Sequence, residues 1–282
     1  MLVNGLSPEV MFGSSGVSRF SDMVGTTQSN VITHSVETGV RLDAAAELVR
    51  GLKECYIKRN PLSSENNTRA CRSLPGGNTR SVLHFDPFPI TFRGGHGCHV
   101  TSIDGGEYLD MVSESTASLM GHSHPVVQQA ILDATTYGMN LGGCNEYEVE
   151  LAEVLVARFK SVDSIRFSNS GTEAKTIALA AAKHYTGKSK VLVFKDGYHG
   201  STLTFHELDN PMNIPHSYIM AEFNDFESTR KVLLQDMAAI IVEPIQGAGS
   251  MIPASKDFLT FLRESADKIG AVLIFDEVVT SH

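Results

Sequence analysis

Four short runs hold the polar residues whose types and spacing suit chemistry. Ser170-Gly171-Thr172-Glu173 follows the apolar alternation Ile165, Phe167 and precedes Ala174, Ile177, Ala178, Ala181 and Tyr185 at helical spacing. Ser170 and Glu173 make a capping-box pattern, and Gly171 lets a ligand approach the backbone. The free first amides of the helix, with its dipole, favour a small anion such as a phosphate. Gly197-Tyr198-His199-Gly200 adds an aromatic face and an imidazole. Glu243-Pro244-Ile245-Gln246-Gly247 and Phe275-Asp276-Glu277-Val278 each set a carboxylate just after an apolar run. Singly, each run has an ordinary structural role: Ser170 caps a helix, Tyr198 packs, His199 is a satisfied loop histidine, Glu243 caps a turn, and Asp276 bonds to backbone. Jointly they supply an anion cradle, a cover for a flat ring and an acidic partner for a cation.

The elements around these runs must bring them together. Val191 to Phe194, Ala238 to Val242 and Ala271 to Phe275 are continuous apolar strands suited to burial on both faces. Ile165 to Phe167 reads as a further strand. Thr172 to Tyr185 reads as a helix closed by Gly187, and Phe258, Leu259, Leu262, Ala266 and Ile269 form a helix face closed by Gly270. Strands alternating with helices predict an α/β fold, a mainly parallel sheet covered on both faces. In such a sheet ligands bind beyond the carboxyl ends of the strands, where all four runs fall. Upstream, helical spacing runs from Arg41 to Arg59 and ends at Pro61, followed by a polar segment and the turn-rich stretch Leu74 to Arg80. Pro89 to Met111 reads as a small β-element, broken at Gly94-Gly95 and turning at Asp104-Gly105-Gly106. Helices follow from Pro125 and around Tyr147 to Phe159. The expected organisation is a loose extension over 1–40, a helix with a small β-element over 41–120, and the α/β domain over 121–282.

Composition narrows the function classes. The chain has 282 residues, 42% hydrophobic and 20% charged, enough for a large core. A net charge of −9 with no basic run argues against a nucleic-acid surface. The apolar runs are strand-sized, so no membrane span is expected. Four scattered cysteines without a CxxC pair suit reduced thiols in a cytoplasmic protein, and no leader pattern opens the chain. His96, His99, His122 and His124 lack metal-ligand spacing, so no metal is expected. Gly247-Ala248-Gly249 lacks the third glycine of a dinucleotide fingerprint, and no Walker-type loop occurs.

A ligand that suits the set has a phosphate, a flat ring for Tyr198 to cover, and a basic ring nitrogen that Asp276 keeps protonated. Pyridoxal phosphate has all three, and its protonated pyridine is an electron sink.

The four runs, in order and spacing, resemble the class III pyridoxal-phosphate aminotransferases, from about Pro75 onward. Within the class, Pro75-Gly76-Gly77-Asn78-Thr79-Arg80-Ser81-Val82-Leu83 and Asp276-Glu277-Val278-Val279-Thr280-Ser281 resemble the branch of glutamate-1-semialdehyde aminomutases and β-phenylalanine aminotransferases, the latter more closely. The resemblance implies fold type I, with an incomplete large domain and the N-terminal part of the small one, in homodimers whose active site lies at the subunit interface. It implies that Ser170, Gly171 and Thr172 hold the phosphate, that Tyr198 stacks on the ring with His199 in support, and that Asp276 pairs with the ring nitrogen. Val278 packs on the opposite ring face, Glu243 lies close to cofactor and substrate, and Arg80 binds a substrate carboxylate. The implied activity is amino-group transfer between a carboxylate-bearing amine, such as a β-amino acid, and a keto acid, or a 2,1-aminomutase reaction. Two departures stand out. Val279 occupies a position where many members have Gln, and the family's Schiff-base lysine falls past His282. Lys195 and Lys175 do not match it, and read as a strand-end and a helix-surface lysine. The alternative is a non-catalytic remnant that keeps part of the cofactor site.

Overall fold

The computed structural model describes residues 42–115 and 117–281, so the extension expected over 1–40 lies outside the described residues. The chain packs as two units, one running to Tyr137 and the other from Gly138.

In the first unit, α1 (Leu42–Arg59) follows the expected helical spacing. The segment after it, read as merely polar, is a second helix, α2 (Pro61–Ala70). Proline suits a first helical position, where its missing N–H costs nothing. The next amides, of Leu62 and Ser63, donate to the Asp104 carboxylate at 2.7 and 3.2 Å. A cap that lies 42 residues away from Leu62 leaves no local signal. Asp104 stands in the turn between β2 (His99–Ser102) and β3 (Glu107–Leu109), which with β1 (Phe92–His96) form an antiparallel sheet in the order β1-β2-β3. Gly94-Gly95, read as a break, lies inside β1, where the register shifts between Phe92 and Gly94. Pro125 opens α3 (Pro125–Thr136) as expected.

The second unit holds α4 (Glu146–Arg158), α5 (Gly171–Thr186), β4 (Lys190–Phe194), β5 (Ser217–Ala221), α6 (Phe226–Val232), β6 (Met237–Val242), the short antiparallel pair β7 (Ile245–Gln246) and β8 (Ile252–Pro253), α7 (Lys256–Ile269) and β9 (Val272–Phe275). Four strands form a parallel sheet in the order β5-β4-β6-β9. Alternation sorts its side chains between two cores. Leu192, Phe194, Ile240 and Val242 meet Phe258, Leu262, Ala266 and Ile269 of α7 on one face, with Phe226 and Val232 of α6 packed alongside. Val191, Val193, Ala239 and Ile241 meet Leu179 and Ala182 of α5 on the other, with Leu203 and Phe205. All six residues of β6 are buried, which explains its unbroken apolar run. Full burial of each large side chain contributes roughly 1.5–3 kcal/mol.

Two elements in this unit differ from expectation. Ile165 to Phe167, read as a strand, joins no ladder among the described residues. β5 and α6 were not foreseen. Ser217-Tyr218-Ile219-Met220-Ala221 mixes small and flexible residues with only two strong strand formers, and its backbone pairing with β4 is what orders it. Among the described residues, no helix is long and apolar enough to cross a membrane.

Candidate functional site

The site lies at the carboxyl ends of β4, β6 and β9, in the second unit. Ser170 caps α5: its hydroxyl accepts the Glu173 N–H at 3.2 Å. Glu173 reaches back to the Asn169 N–H at 2.8 Å, one residue before the N-cap itself. The first helical bond runs from Ala174 N–H to the Ser170 carbonyl, so the amides of Gly171 and Thr172 stand ahead of it with the positive end of the helix dipole. Gly200 holds φ at 122°, and a Cβ there would meet Thr172 Oγ1 at 2.2 Å. The loop after β4 therefore presses its backbone against the head of α5. Ser201 N–H fastens the contact by donating to Thr172 Oγ1 at 3.3 Å.

That loop carries Tyr198 and His199. The Tyr198 side chain stays accessible, while His199 is 1% exposed. His199 Nδ1 lies 2.8 Å from Asp276 Oδ2. A carboxylate only accepts, so Nδ1 donates. Nε2 is buried and has no hydrogen-bond partner among the described residues. Backbone fixes Asp276 as well: its N–H donates to the Val242 carbonyl of β6 at 2.8 Å, and its Oδ1 accepts the Val278 N–H at 3.3 Å. Lys175, one turn into α5, lies with Nζ 2.9 Å from Asp276 Oδ2.

Glu243, at the end of β6, is buried and accepts the amides of Tyr198 and Gly247, each at 3.1 Å. Beside it Gln246 is buried and donates to the Lys195 carbonyl at 2.7 Å, tying the β6 loop to the β4 loop. The two carboxylates are pushed in opposite directions. Burial would raise Asp276, but hydrogen bonds from His199 and Lys175, and their charges, outweigh it and hold the carboxyl below the ordinary range. Burial raises Glu243, and the Gly247 and Tyr198 amides offset that only in part. Carboxyl groups driven apart at neighbouring strand ends make this place the candidate site.

The structure thus brings together Ser170, Gly171, Thr172, Tyr198, His199, Glu243, Asp276 and Val278. Val278 Cγ2 lies 3.8 Å from where a Cβ of Gly171 would stand. Arg80 belongs to the first unit. It is exposed, and its N–H donates to Asn78 Oδ1 at 3.0 Å. Lys175 is the residue that the sequence reading misplaced. It was taken for a helix-surface lysine, yet its side chain is 12% exposed and ion-paired. The available signal was its spacing, four residues after Gly171 and so on the same helical face. Lys195 points to Glu222 at 3.6 Å and is half exposed, as a strand-end lysine should be.

A family model described as aminotransferase class-III matches residues 83–214 and 205–281. The chain belongs to the class III aminotransferases. It is 42% identical over 230 residues to the β-phenylalanine transaminase of Variovorax paradoxus, covering 80% of this chain and 53% of that one. The solved β-phenylalanine aminotransferase of the same organism superposes with a TM-score of 0.81 at 40% identity, over 84% of this chain and 56% of that chain. A glutamate-1-semialdehyde 2,1-aminomutase of Syntrophomonas wolfei is 34% identical over 242 residues, covering 79% and 56%. A transaminase solved with pyridoxal phosphate bound matches with a TM-score of 0.71 at 33% identity, over 78% and 56%. The chain spans about half the length of the curated relatives it matches. The fold is that of the fold type I pyridoxal-phosphate enzymes, and pyridoxal phosphate is the family's cofactor.

The donor set fits that cofactor. The free amides of Gly171 and Thr172 suit a phosphate, and Asp276, held ionised, suits a protonated ring nitrogen.

Proposed function

We propose that this chain builds the cofactor half of the active site of a transaminase, one that moves an amino group between a β-amino acid and a keto acid. A 2,1-aminomutase reaction is the related chemistry that the aminomutase relatives support. Pyridoxal phosphate supplies the electron sink for the pair released at the substrate carbon. The chain's own residues bind and orient it. Ser170, Gly171 and Thr172 take the phosphate on the dipole and amides of α5, and Tyr198 covers one ring face with Val278 on the other. Asp276, oriented by His199, accepts the ring N–H and keeps that nitrogen protonated. Glu243, raised by burial, stands next to the Tyr198 amide as a carboxyl that can hold a proton close to the reacting groups. Arg80 receives the substrate carboxylate, for which a guanidinium offers two parallel hydrogen bonds. The amine nucleophile lies outside these residues, since Lys175 and Lys195 are each engaged by a carboxylate. A homodimer, as the family resemblance implies, completes the site.

The observation that carries this reading is the buried His199–Asp276 pair beside the α5 cradle, with Asp276 held ionised. The test is steady-state transamination by the full-length protein with β-phenylalanine and a keto acid, before and after Arg80→Ala. Loss of affinity for the carboxylate-bearing donor, with cofactor binding intact, is expected. Unchanged affinity for that donor would remove Arg80 from the site, and failure to bind pyridoxal phosphate would remove the whole reading.

A further inference from the structure

Lys175 Nζ and a protonated ring nitrogen want the same partner, an ionised oxygen of Asp276. Nζ lies 2.9 Å from Oδ2, and the two side chains are 12% and 2% exposed. Oδ2 also accepts His199 Nδ1 at 2.8 Å, whereas Oδ1 has a single long bond, 3.3 Å, from the Val278 amide. Lys175 gets there because it lies one helical turn after Gly171, on the face that carries the phosphate cradle. Its Nζ is 3.1 Å from the point where a Cβ of Gly171 would stand, so the amine bridges the space between cradle and carboxylate. A ring that reached from one to the other would run past this cation.

Resting on the reading of Asp276 as the partner of the ring nitrogen, we infer that Lys175 is a positioning residue that competes with that nitrogen for Asp276 and so limits the affinity for the pyridine. Two effects act in the same direction. The lysine takes up acceptor capacity on Oδ2, and its charge opposes a second cation at the same carboxylate. Burial of the pair keeps water from screening either effect. Removal of the charge with the length kept frees the oxygen and leaves the ring nitrogen easier to protonate.

The experiment uses the full-length protein stripped of cofactor, as wild type, Lys175→Met, Lys175→Gln and Lys175→Arg. Pyridoxamine phosphate is the main probe, because it carries an amine in place of the aldehyde and forms no bond to lysine. Pyridoxamine and inorganic phosphate divide its two ends. Calorimetric titration is expected to show pyridoxamine phosphate and pyridoxamine binding about tenfold tighter to K175M and K175Q, the size of effect expected when one competing charge-assisted hydrogen bond is removed. K175R should bind as wild type does, and inorganic phosphate should bind all four alike. The pH at which the bound ring nitrogen titrates, read from ligand absorbance, should rise in K175M, which a purely structural ion pair would not cause. Unchanged affinity in K175M and K175Q overturns the inference. Weaker binding of both pyridoxamine phosphate and inorganic phosphate overturns it too, and makes Lys175 a phosphate ligand. If wild type binds pyridoxamine phosphate no more tightly than inorganic phosphate, the reading of Asp276 itself falls, and the inference with it.

Discussion

The contact between Gly200 and Thr172 joins the β4 loop to the head of α5, and Gly200→Ala tests whether it holds the site together. Two costs follow from the geometry. Gly200 has φ at 122°, where an L side chain is strained by about 1–3 kcal/mol. The added Cβ would also stand 2.2 Å from Thr172 Oγ1 and 2.8 Å from Thr172 Cα. Ordinary contact needs about 3.5 Å, so loop and helix must part by about 1 Å, at an overpacking cost of about 1–3 kcal/mol. G200A should therefore lose about 4 kcal/mol in a urea melt of the full-length protein, the sum of the middles of those two ranges. The separation also draws the Ser201 amide off Thr172 Oγ1 and misaligns the phosphate cradle with His199. Affinity for pyridoxamine phosphate should fall with stability. Thr172→Ala divides the two costs, because it removes the nearest atom and leaves φ unchanged. In the double-mutant cycle the pair should couple by at least about 1 kcal/mol, with T172A partly rescuing G200A. Additivity within about 0.5 kcal/mol would refute the close contact and the reasoning built on it.

Other perturbations read the two carboxylates. Asp276→Asn leaves Lys175 and His199 without their ionised partner and should cost about 3 kcal/mol of stability, the low end for a broken buried pair because an amide oxygen remains; a loss under about 0.5 kcal/mol, the size of an ordinary surface change, would count against the pairing. Because Asp276 is held below its ordinary 3.8, the stability it contributes is present above that value and is lost as pH falls through the lower folded value. Wild type and D276N melts should therefore converge on acidification, and curves that stay parallel would contradict the shift. Glu243 runs the other way. Its folded value lies above 4.5, so its contribution is present below that and is lost as pH rises through the raised value. Relative to wild type, Glu243→Gln should gain stability from pH 4.5 toward neutrality, and a pH-independent difference between the two would show that Glu243 is not shifted. Borohydride treatment in the presence of pyridoxal phosphate should leave Lys175 and Lys195 unmodified by peptide mapping, and a stoichiometric adduct on either would overturn their assignment as paired cations.

The sheet was legible where burial dictates residue type. β4 from Val191 and all of β6 are covered on both faces, so these stretches are unbroken apolar runs that need no periodicity to be found. The site followed in part from the same fact, because the Tyr198, Glu243 and Asp276 runs each begin where a strand of the sheet stops. Helix ends were equally plain: Ser170 and Gly187 sit where a capping side-chain oxygen and a left-handed residue are favoured. The features that escaped depend on partners distant in sequence. α2 is capped by Asp104, β5 is ordered by pairing with β4, and the need for glycine at position 200 comes from Thr172. Ile165 to Phe167 shows the converse, a strand-like pattern without a ladder among the described residues.

Lys175 shows how a local reading goes wrong on charge. On a helical wheel a lysine one turn past a cap looks solvated, and most such lysines are. Here the same turn faces the carboxyl end of β9, where Asp276 is buried to 5% exposure. A buried carboxylate cannot stay ionised without donors, and backbone provides Asp276 with one long bond. His199 and Lys175 supply the rest. Glu243, directly after the adjacent strand β6, has only backbone amides and is pushed toward its neutral form. The difference between an acid that stays charged and one that can carry a proton thus rests on which side chains the helix and the loop direct at each strand end. Lys175→Met would leave His199 as the side-chain donor that keeps Asp276 charged, without touching a residue of the β4 loop.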